Sequence, residues 1–389
     1  MGKNVVHFLP AESGDCSVIE LDNKECILID CGFKATYHNK LKPLLLQLRA
    51  KGCKIILMIV SHIDQDHIEG AIELLTENGS AQNPNIIEID NIWFNGFFNS
   101  LFIKDIFTCH KNKIVSETQK KQMRVAKGSL YMRSGAEEKK ISAQQSKQFE
   151  ELCSFYGYRL NMQFRDRIVK YINEFNSSKI SIGECNISVL SPGKKQLDSL
   201  AAEFDKEMVK MFGKDYAINN SFEFATLFEL LMGLYKEEVS DTSYISAVAS
   251  NIENWLGTSN LAKMNVINKA SIVVEIEYKN KRFLFTGDSD SELWWKHLKE
   301  DYDVIKISHH GTTKPNIKLI EHSRGKHVLI STNGKKYGHP EKDLIARVIL
   351  GGNLFLHFNY EVEMKKIIEN IQEKYKFKAE FCNSEITID

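Results

Sequence analysis

Proline is scarce, with six residues in 389, and neither charge is in excess: 51 lysines and arginines face 51 aspartates and glutamates. That balance leaves no global field to draw the chain to nucleic acid or an anionic membrane, so any such partner has to be met by a local patch. None of the eight cysteines (Cys16, Cys26, Cys31, Cys53, Cys109, Cys153, Cys185, Cys382) forms a CxxC pair. They read as reduced core residues, which leaves metal chemistry to His and Asp. The first ten residues lack the apolar stretch of a signal peptide, and no apolar run approaches membrane-spanning length. The expectation is a soluble, cytoplasmic protein without a membrane partner. What is present, 43% apolar and 10% aromatic residues, is enough for a sizeable core.

Short apolar runs at 5–8, 17–21 and 26–30 read as strands, followed by a helix over 38–51, a buried-type strand at 55–60 and a helix from 68 to about 77. From 103 to 180 the chain turns polar and basic and is read as a helical insertion. Strand character returns at 185–190, and a second helical insertion is expected over 196–262. The segments 271–278 and 282–286 flank Lys279-Asn280-Lys281 as a β-hairpin. Strands at 304–307 and 328–331 and a helix from about 340 follow. The whole, 1–389, is expected to be one α/β domain carrying two insertions.

The chemistry-bearing residues stand where strands end. The run 55–60 leads into Ser61-His62-Ile63-Asp64-Gln65-Asp66-His67, and imidazole with carboxylate is a donor set for Zn, Mn or Fe. A helix cap needs one carboxylate at such a place and does not call for four metal-competent side chains. Phe285-Thr286-Gly287-Asp288-Ser289-Asp290 again follows an apolar strand; alone, Gly-Asp is an ordinary turn. The paired histidines of Ser308-His309-His310-Gly311 end a third strand, and Tyr337-Gly338-His339-Pro340 follows a fourth. The repeated position, more than any single motif, marks a site.

In this order, HxDxDH, GDxD, HHG and NxxxYGHP, the sequence resembles the metallo-β-lactamase superfamily, and within it the soluble hydrolase domain of ComEC-type competence proteins and their stand-alone relatives. The resemblance covers roughly 1–95, 183–195 and 265–350, with a last strand near 385–388. It implies an αββα fold of two packed mixed β-sheets flanked by helices, and two divalent metal ions, Zn or Mn. By the resemblance Asp288 bridges the ions, one held by His62 and Asp64, the other by Asp66, His67 and His309. Asp66 would orient the attacking water. His339 would contact substrate oxygens or protonate the leaving group, and His310 would be a ligand or a catalytic support. Asp30, Asp15 and Ser271 would stand behind the ligands, and Asn333, Tyr337 and His339 would face substrate. Three departures stand out. Asp64 occupies a position that is histidine in the family at large, which shifts the preference toward harder ions such as Mn. The histidine that supplies a ligand in the middle of the family's chain has no counterpart here, His110 being incidental. The segment from Asn333 to Tyr337 is one residue longer than in the ComEC-type pattern.

The implied activity is hydrolysis by metal-activated water, with phosphodiesters of nucleic acid or nucleotides as the first substrate class. The basic run 111–133 offers a local electrostatic path for a strand, although Tyr131 is its one aromatic and a solvated helical face explains such a run equally well. Hydrolysis of a small lactone, thioester or phosphoester is the alternative within enzymes. A partner-binding effector is the alternative outside them, its protein partner met by the helical insertions and the stripe Phe224 to Leu231; a stripe of that kind is more commonly core packing.

Overall fold

The computed structural model describes residues 3–97, 110, 113–133, 145–171, 179–233, 252–259, 264–335 and 338–389. Its strands fall into two sheets. The first runs β14–β1–β2–β3–β4–β5, with β1 (Asn4–Phe8), β2 (Cys16–Glu20), β3 (Glu25–Cys31), β4 (Lys54–Ile59), β5 (Ile92–Trp93) and β14 (Glu385–Ile388). The second runs β13–β12–β11–β10–β9–β8–β7–β6, with β6 (Lys179–Ile182), β7 (Cys185–Ser191), β8 (Val273–Tyr278), β9 (Lys281–Phe285), β10 (Asp301–Lys306), β11 (Arg324–Ile330), β12 (Phe355–Phe358) and β13 (Lys378–Phe381). Each sheet is antiparallel on one side and parallel on the other: β3, β4 and β5 in the first, β9 to β13 in the second. Polar loops at the carboxyl ends of parallel strands are where α/β sheets place their ligands.

Strand alternation explains the layering. In β3, Ile27 and Ile29 face the second sheet while Cys26 and Leu28 face helices, so both faces are buried and the strand reads as a continuous apolar run. Val6, Phe8, Ile19, Leu57, Ile59, Val274, Ile276, Phe283, Phe285, Val304 and Leu329 fill the space between the sheets. Outside the second sheet, Ile305, Val328, Ile330 and Leu356 pack under α7 (Lys342–Leu350) and α8 (Lys365–Tyr375). Outside the first lie α1 (Lys42–Ala50) and α2 (Gln65–Asn78), the latter burying Ile68, Ala71, Ile72 and Leu75 at helical spacing. The result is helix, sheet, sheet, helix, the αββα arrangement expected.

The stretches between β5 and β6 and between β7 and β8 contribute α3 (Glu117–Arg133), α4 (Gln145–Tyr156), α5 (Lys194–Phe212) and α6 (Phe222–Gly233). They join one apolar cluster on the first sheet's side, where Met123, Phe149, Phe204 and Phe228 meet. The stripe Phe224, Leu227, Phe228 and Leu231 is buried there, with Phe204 edge-on to Phe228 at 5.2 Å. His110 is also structural: its ring stacks on Tyr216 at 4.0 Å, and its Nδ1 bonds the Tyr216 carbonyl. Among the described residues no helix is long and apolar enough to cross a membrane.

Candidate metal centre

The loops after β3, β4, β9, β10 and β11 converge. Asp30, near the end of β3 and 1% exposed, accepts from the Ser61 amide (2.7 Å), the Ser61 hydroxyl (2.8 Å) and His67 Nδ1 (2.9 Å). Because the Ser61 proton goes to Asp30, its oxygen at 3.0 Å has to accept from His62 Nδ1. Thr312 Oγ1 likewise donates to the His309 carbonyl and accepts from His309 Nδ1 at 3.1 Å, while His310 Nδ1 donates to the Ser331 carbonyl at 3.2 Å. Each of these four imidazoles is thereby set with its Nε2 facing inward. Those nitrogens lie 3.9 Å (His62), 3.6 Å (His67), 3.9 Å (His309) and 3.3 Å (His310) from one atom, Asp288 Oδ2.

Lone pairs of imidazole and carboxylate repel one another unless a proton or a metal ion lies between them. His62 Nε2, His67 Nε2 and Asp288 Oδ1 are buried without a hydrogen bond, as a metal-ligating set would be. The ligand atoms of His62, His67 and Asp288 lie within 4.8 Å of one another, as do those of Asp66, His67 and His310. Asp64 Oδ2 is 3.5 Å from His62 Nε2; Asp66 lies 3.9 Å from His67 Nε2 and 3.7 Å from His310 Nε2. The residues present therefore fit divalent ions, with His310 nearer than His309 to the Asp66–His67 group.

The field has the matching sign. Burial raises the Asp288 carboxyl, but the His310, His67 and His309 rings outweigh it and hold it well below the usual carboxylate range. Burial lowers His67, yet Asp30 and Asp288 lift it well above the usual histidine value, and the same negative field favours a cation at its Nε2. His309 and His339 go the other way, pushed down by burial to about 4 and about 3. Burial raises Asp66, which opens with Asp64 toward the mouth of the site.

Several parts were not singled out in the sequence. Lys306, at the end of β10 and 2% exposed, forms an ion pair with Asp15 and lies 3.9 Å from Asp288 Oδ1, so the histidines approach one oxygen of Asp288 and a lysine the other. Ser61 fixes His62 as described. Asn316, fully buried, accepts from the Ser308 amide and donates to the Ser308 and Thr312 carbonyls, clamping the HHG turn. Within that turn His309 (φ 50°) and His310 (φ 53°) are both left-handed, a conformation costing roughly 1–2 kcal/mol per residue. Gly287 is left-handed as well (φ 49°), and a Cβ there would sit 3.0 Å from Ser61 Cβ and 3.2 Å from Ser271 Cβ. Ser271 thus stands behind the Gly-Asp turn, fully buried.

The substrate-facing residues divide. His339 lies beside the cluster, its ring 6.2 Å from that of His309. Asn333 Oδ1 accepts from the Lys335 amide at 3.0 Å, closing a turn. Tyr337 lies outside the described residues, as do 111 and 112 of the basic run. Asp15 contacts Lys306 and stands 3.6 Å from His310 Nδ1.

None of the curated proteins matches the sequence. Among solved structures, the metallo-beta-lactamase fold protein YhfI from Bacillus subtilis is 8% identical, the match covering 100% of this chain and 99% of that one at a TM-score of 0.38. CmlA, a diiron beta-hydroxylase from Streptomyces venezuelae, is 8% identical over 100% of this chain and 54% of its own, at a TM-score of 0.37. The model of the metallo-beta-lactamase superfamily matches residues 9–105, the stretch holding Asp15, Asp30 and the whole His62–His67 cluster, and the two mixed sheets with their flanking helices are consistent with the metallo-β-lactamase fold.

Proposed function

We propose that the protein is a metal-dependent hydrolase that cleaves phosphodiester bonds in nucleic acid or nucleotides. The observation that carries the metal dependence is the convergence of imidazole Nε2 atoms on Asp288 Oδ2, with His62 Nε2 and His67 Nε2 buried and without hydrogen bonds. His62, Asp64 and Asp288 would hold one divalent ion and Asp66, His67, His310 and Asp288 another. Such ions, when bound, polarise a substrate oxygen and lower the pKa of water to near neutrality. A donor set with three carboxylates suits Mn at least as well as Zn.

The chain's own contribution is orientation. Asp30 and Ser61 set the tautomers of His67 and His62. Asp66, at the mouth, can orient the attacking water. His339, beside the cluster and pushed down by burial to about 3, is the candidate for contacting substrate oxygens. Support for a phosphodiester comes from α3, whose Lys120, Lys121 and Arg124 are exposed. Lys120 is held by Glu117, and Lys113, just before the helix, by Asp215, which reduces the net charge the face offers a phosphate.

The test is a panel of single-stranded and duplex DNA, RNA and bis-p-nitrophenyl phosphate, incubated with protein carrying Mn or Zn. Cleavage that needs the metal and is lost on chelation is the expected result. Intact substrates in every lane, with metal uptake verified, overturn the phosphodiester assignment; turnover of a lactone or thioester instead would reassign the substrate class.

A further inference from the structure

We propose that Asn359 is a positioning residue for the metal centre: through Ser331 and the β1–β2 loop it sets how far Asp66, carried by the first sheet, stands from His310, carried by the second. The assignment rests on the two-ion reading above.

The centre is split between the sheets. His62, Asp64, Asp66 and His67 follow β4, whereas Asp288 follows β9 and the two histidines of the HHG turn follow β10. The spacing of the halves therefore depends on what ties the strand ends of one sheet to those of the other. The β1–β2 loop, 9–15, is held from the second sheet at several points. The Asn333 amide donates to the Glu12 carbonyl (3.0 Å), the Glu12 amide to the Tyr360 hydroxyl oxygen (2.9 Å) and Ser331 Oγ to the Gly14 carbonyl (2.7 Å), while Lys306 pairs with Asp15. On its other side the loop lies against Asp66. The Asp15 amide donates to the Asp66 carbonyl at 3.3 Å, and a Cβ on Gly14 would stand 2.1 Å from that oxygen, so it takes a glycine to let the backbones meet.

Asn359, just past β12 and 1% exposed, joins these contacts. It accepts from the Thr332 amide (3.1 Å), which identifies its oxygen, and its Nδ2 then donates both protons, one to the Leu9 carbonyl (3.1 Å) and one to Ser331 Oγ (2.9 Å). Because Ser331 accepts there, its own proton goes to Gly14. The Ser331 carbonyl meanwhile takes the proton of His310 Nδ1 at 3.2 Å. One serine thus carries both ends. Its hydroxyl leads through Gly14 to Asp66 and its carbonyl to His310, whose Nε2 lies 3.7 Å from Asp66 Oδ2. The bonds that set His62 run through Ser61 and Asp30 instead, so the two ion positions answer to different supports.

A second asparagine supplies the comparison. Asn353, 5% exposed, straps the opposite end of β11 and β12, accepting from the Gly325 amide (2.7 Å) and donating to the Val348 carbonyl (2.7 Å). Those partners lie on β11 and α7, within one layer pair. Asn359 makes the same kind of bonds, but one of them crosses to Leu9, which follows β1 of the first sheet.

The experiment is Mn(II) binding by calorimetry on full-length protein, with circular dichroism in chelator and urea unfolding of each variant. Wild type is expected to take up two equivalents. Asn359→Ala should also take up two, one at the wild-type affinity and one weakened at least about 10-fold, as substitutions behind a ligand do. Added to Asp66→Ala, which leaves the His62–Asp64 position, Asn359→Ala should change nothing; added to Asp64→Ala, it should show the whole loss. Asn353→Ala should lower the urea midpoint as Asn359→Ala does and leave both Mn affinities at their wild-type values. Two equivalents in wild type with both affinities intact in Asn359→Ala, both falling together, or the same loss in Asn353→Ala overturns the assignment alone. Fewer than two equivalents in wild type overturn the two-ion reading and this assignment with it. If Asn359→Ala fails to fold, Ser331→Ala, which cuts the link to Gly14 and leaves Asn359 in place, is held to the same outcomes.

Discussion

Two buried carboxyls in this protein meet opposite fates. Asp288 (3% exposed) sits among imidazoles that overcome burial and keep it ionised, whereas Glu229 (8% exposed), on α6, is pushed up by burial to about 8 even though it accepts from the Ser146 and Gln145 amides at the start of α4. At Glu229 two backbone amides and the Ser146 side chain do not offset the loss of water, and Glu150 adds to it; at Asp288 the neighbouring His310 and His67 rings do. A retained buried charge therefore marks the strand-end centre as the place built for a cation, and a neutralised one marks the helical layer as packing. The sharpest way to break this contrast is Asp288→Ala. With a bridging carboxylate gone, the loss should be ~4 kcal/mol of transition-state stabilisation, about 10³-fold in kcat. The measurement is turnover beside metal content in a protein whose circular dichroism is unchanged; activity retained at wild-type level would remove Asp288 from the centre.

Glu229 gives the contrast a pH axis. Its folded pKa of about 8 exceeds the ordinary 4.5, so the folded state holds the proton more tightly than the unfolded one. Its contribution is fully present below pH 4.5 and is lost as pH rises through about 8, by up to about 5 kcal/mol at 1.36 kcal/mol per pKa unit. Unfolding of wild type and Glu229→Gln by urea across that window should show the wild type falling relative to the variant. Parallel curves would mean that Glu229 stays ionised, and the distinction between the two regions would collapse. Lys306→Met tests the other side. The lysine is buried against Asp15, and removing it strands a buried carboxylate, at a cost of about 3–5 kcal/mol in stability. A shift below about 1 kcal/mol would show that the pair contributes little.

Much of the site was legible because each motif follows an apolar run that becomes a strand: 55–60 for His62–His67, 282–286 for Asp288, 304–307 for His309 and His310. Periodicity and turn residues carry that information locally. What stayed hidden depends on contacts far apart in the chain. Lys306 looks like an ordinary polar position in a strand until Asp15, from the β1–β2 loop, arrives beside it. Ser61 gains its role only when Asp30 takes its proton. Which of two neighbouring histidines faces Asp66 is set by left-handed backbone that no spacing rule reports. A short polar side chain in a loop can cap a turn as well as meet a substrate, and Asn333 Oδ1 accepts from the Lys335 amide. The strands Phe355–Phe358 and Lys378–Phe381 escaped notice because they are short, and the second alternates between exposed and half-buried positions at the sheet edge.

The smallest effect is expected where the same residue type lies outside the core. Lys121 on α3 is exposed, and Lys121→Ala should change stability by no more than about 0.5 kcal/mol, against the several expected for Lys306. Its value is diagnostic for partners. If α3 guides a nucleic acid, each phosphate-contacting lysine contributes to the slope of log affinity against log salt, and losing one should reduce that slope by about 1 while weakening binding evenly across sequences. Fluorescence anisotropy with a labelled single strand, in Mn-free protein so that no cleavage intervenes, measures both quantities. An unchanged slope for Lys121→Ala and for Arg124→Ala alike would make the basic face of α3 a solvated surface and confine substrate recognition to the strand-end centre.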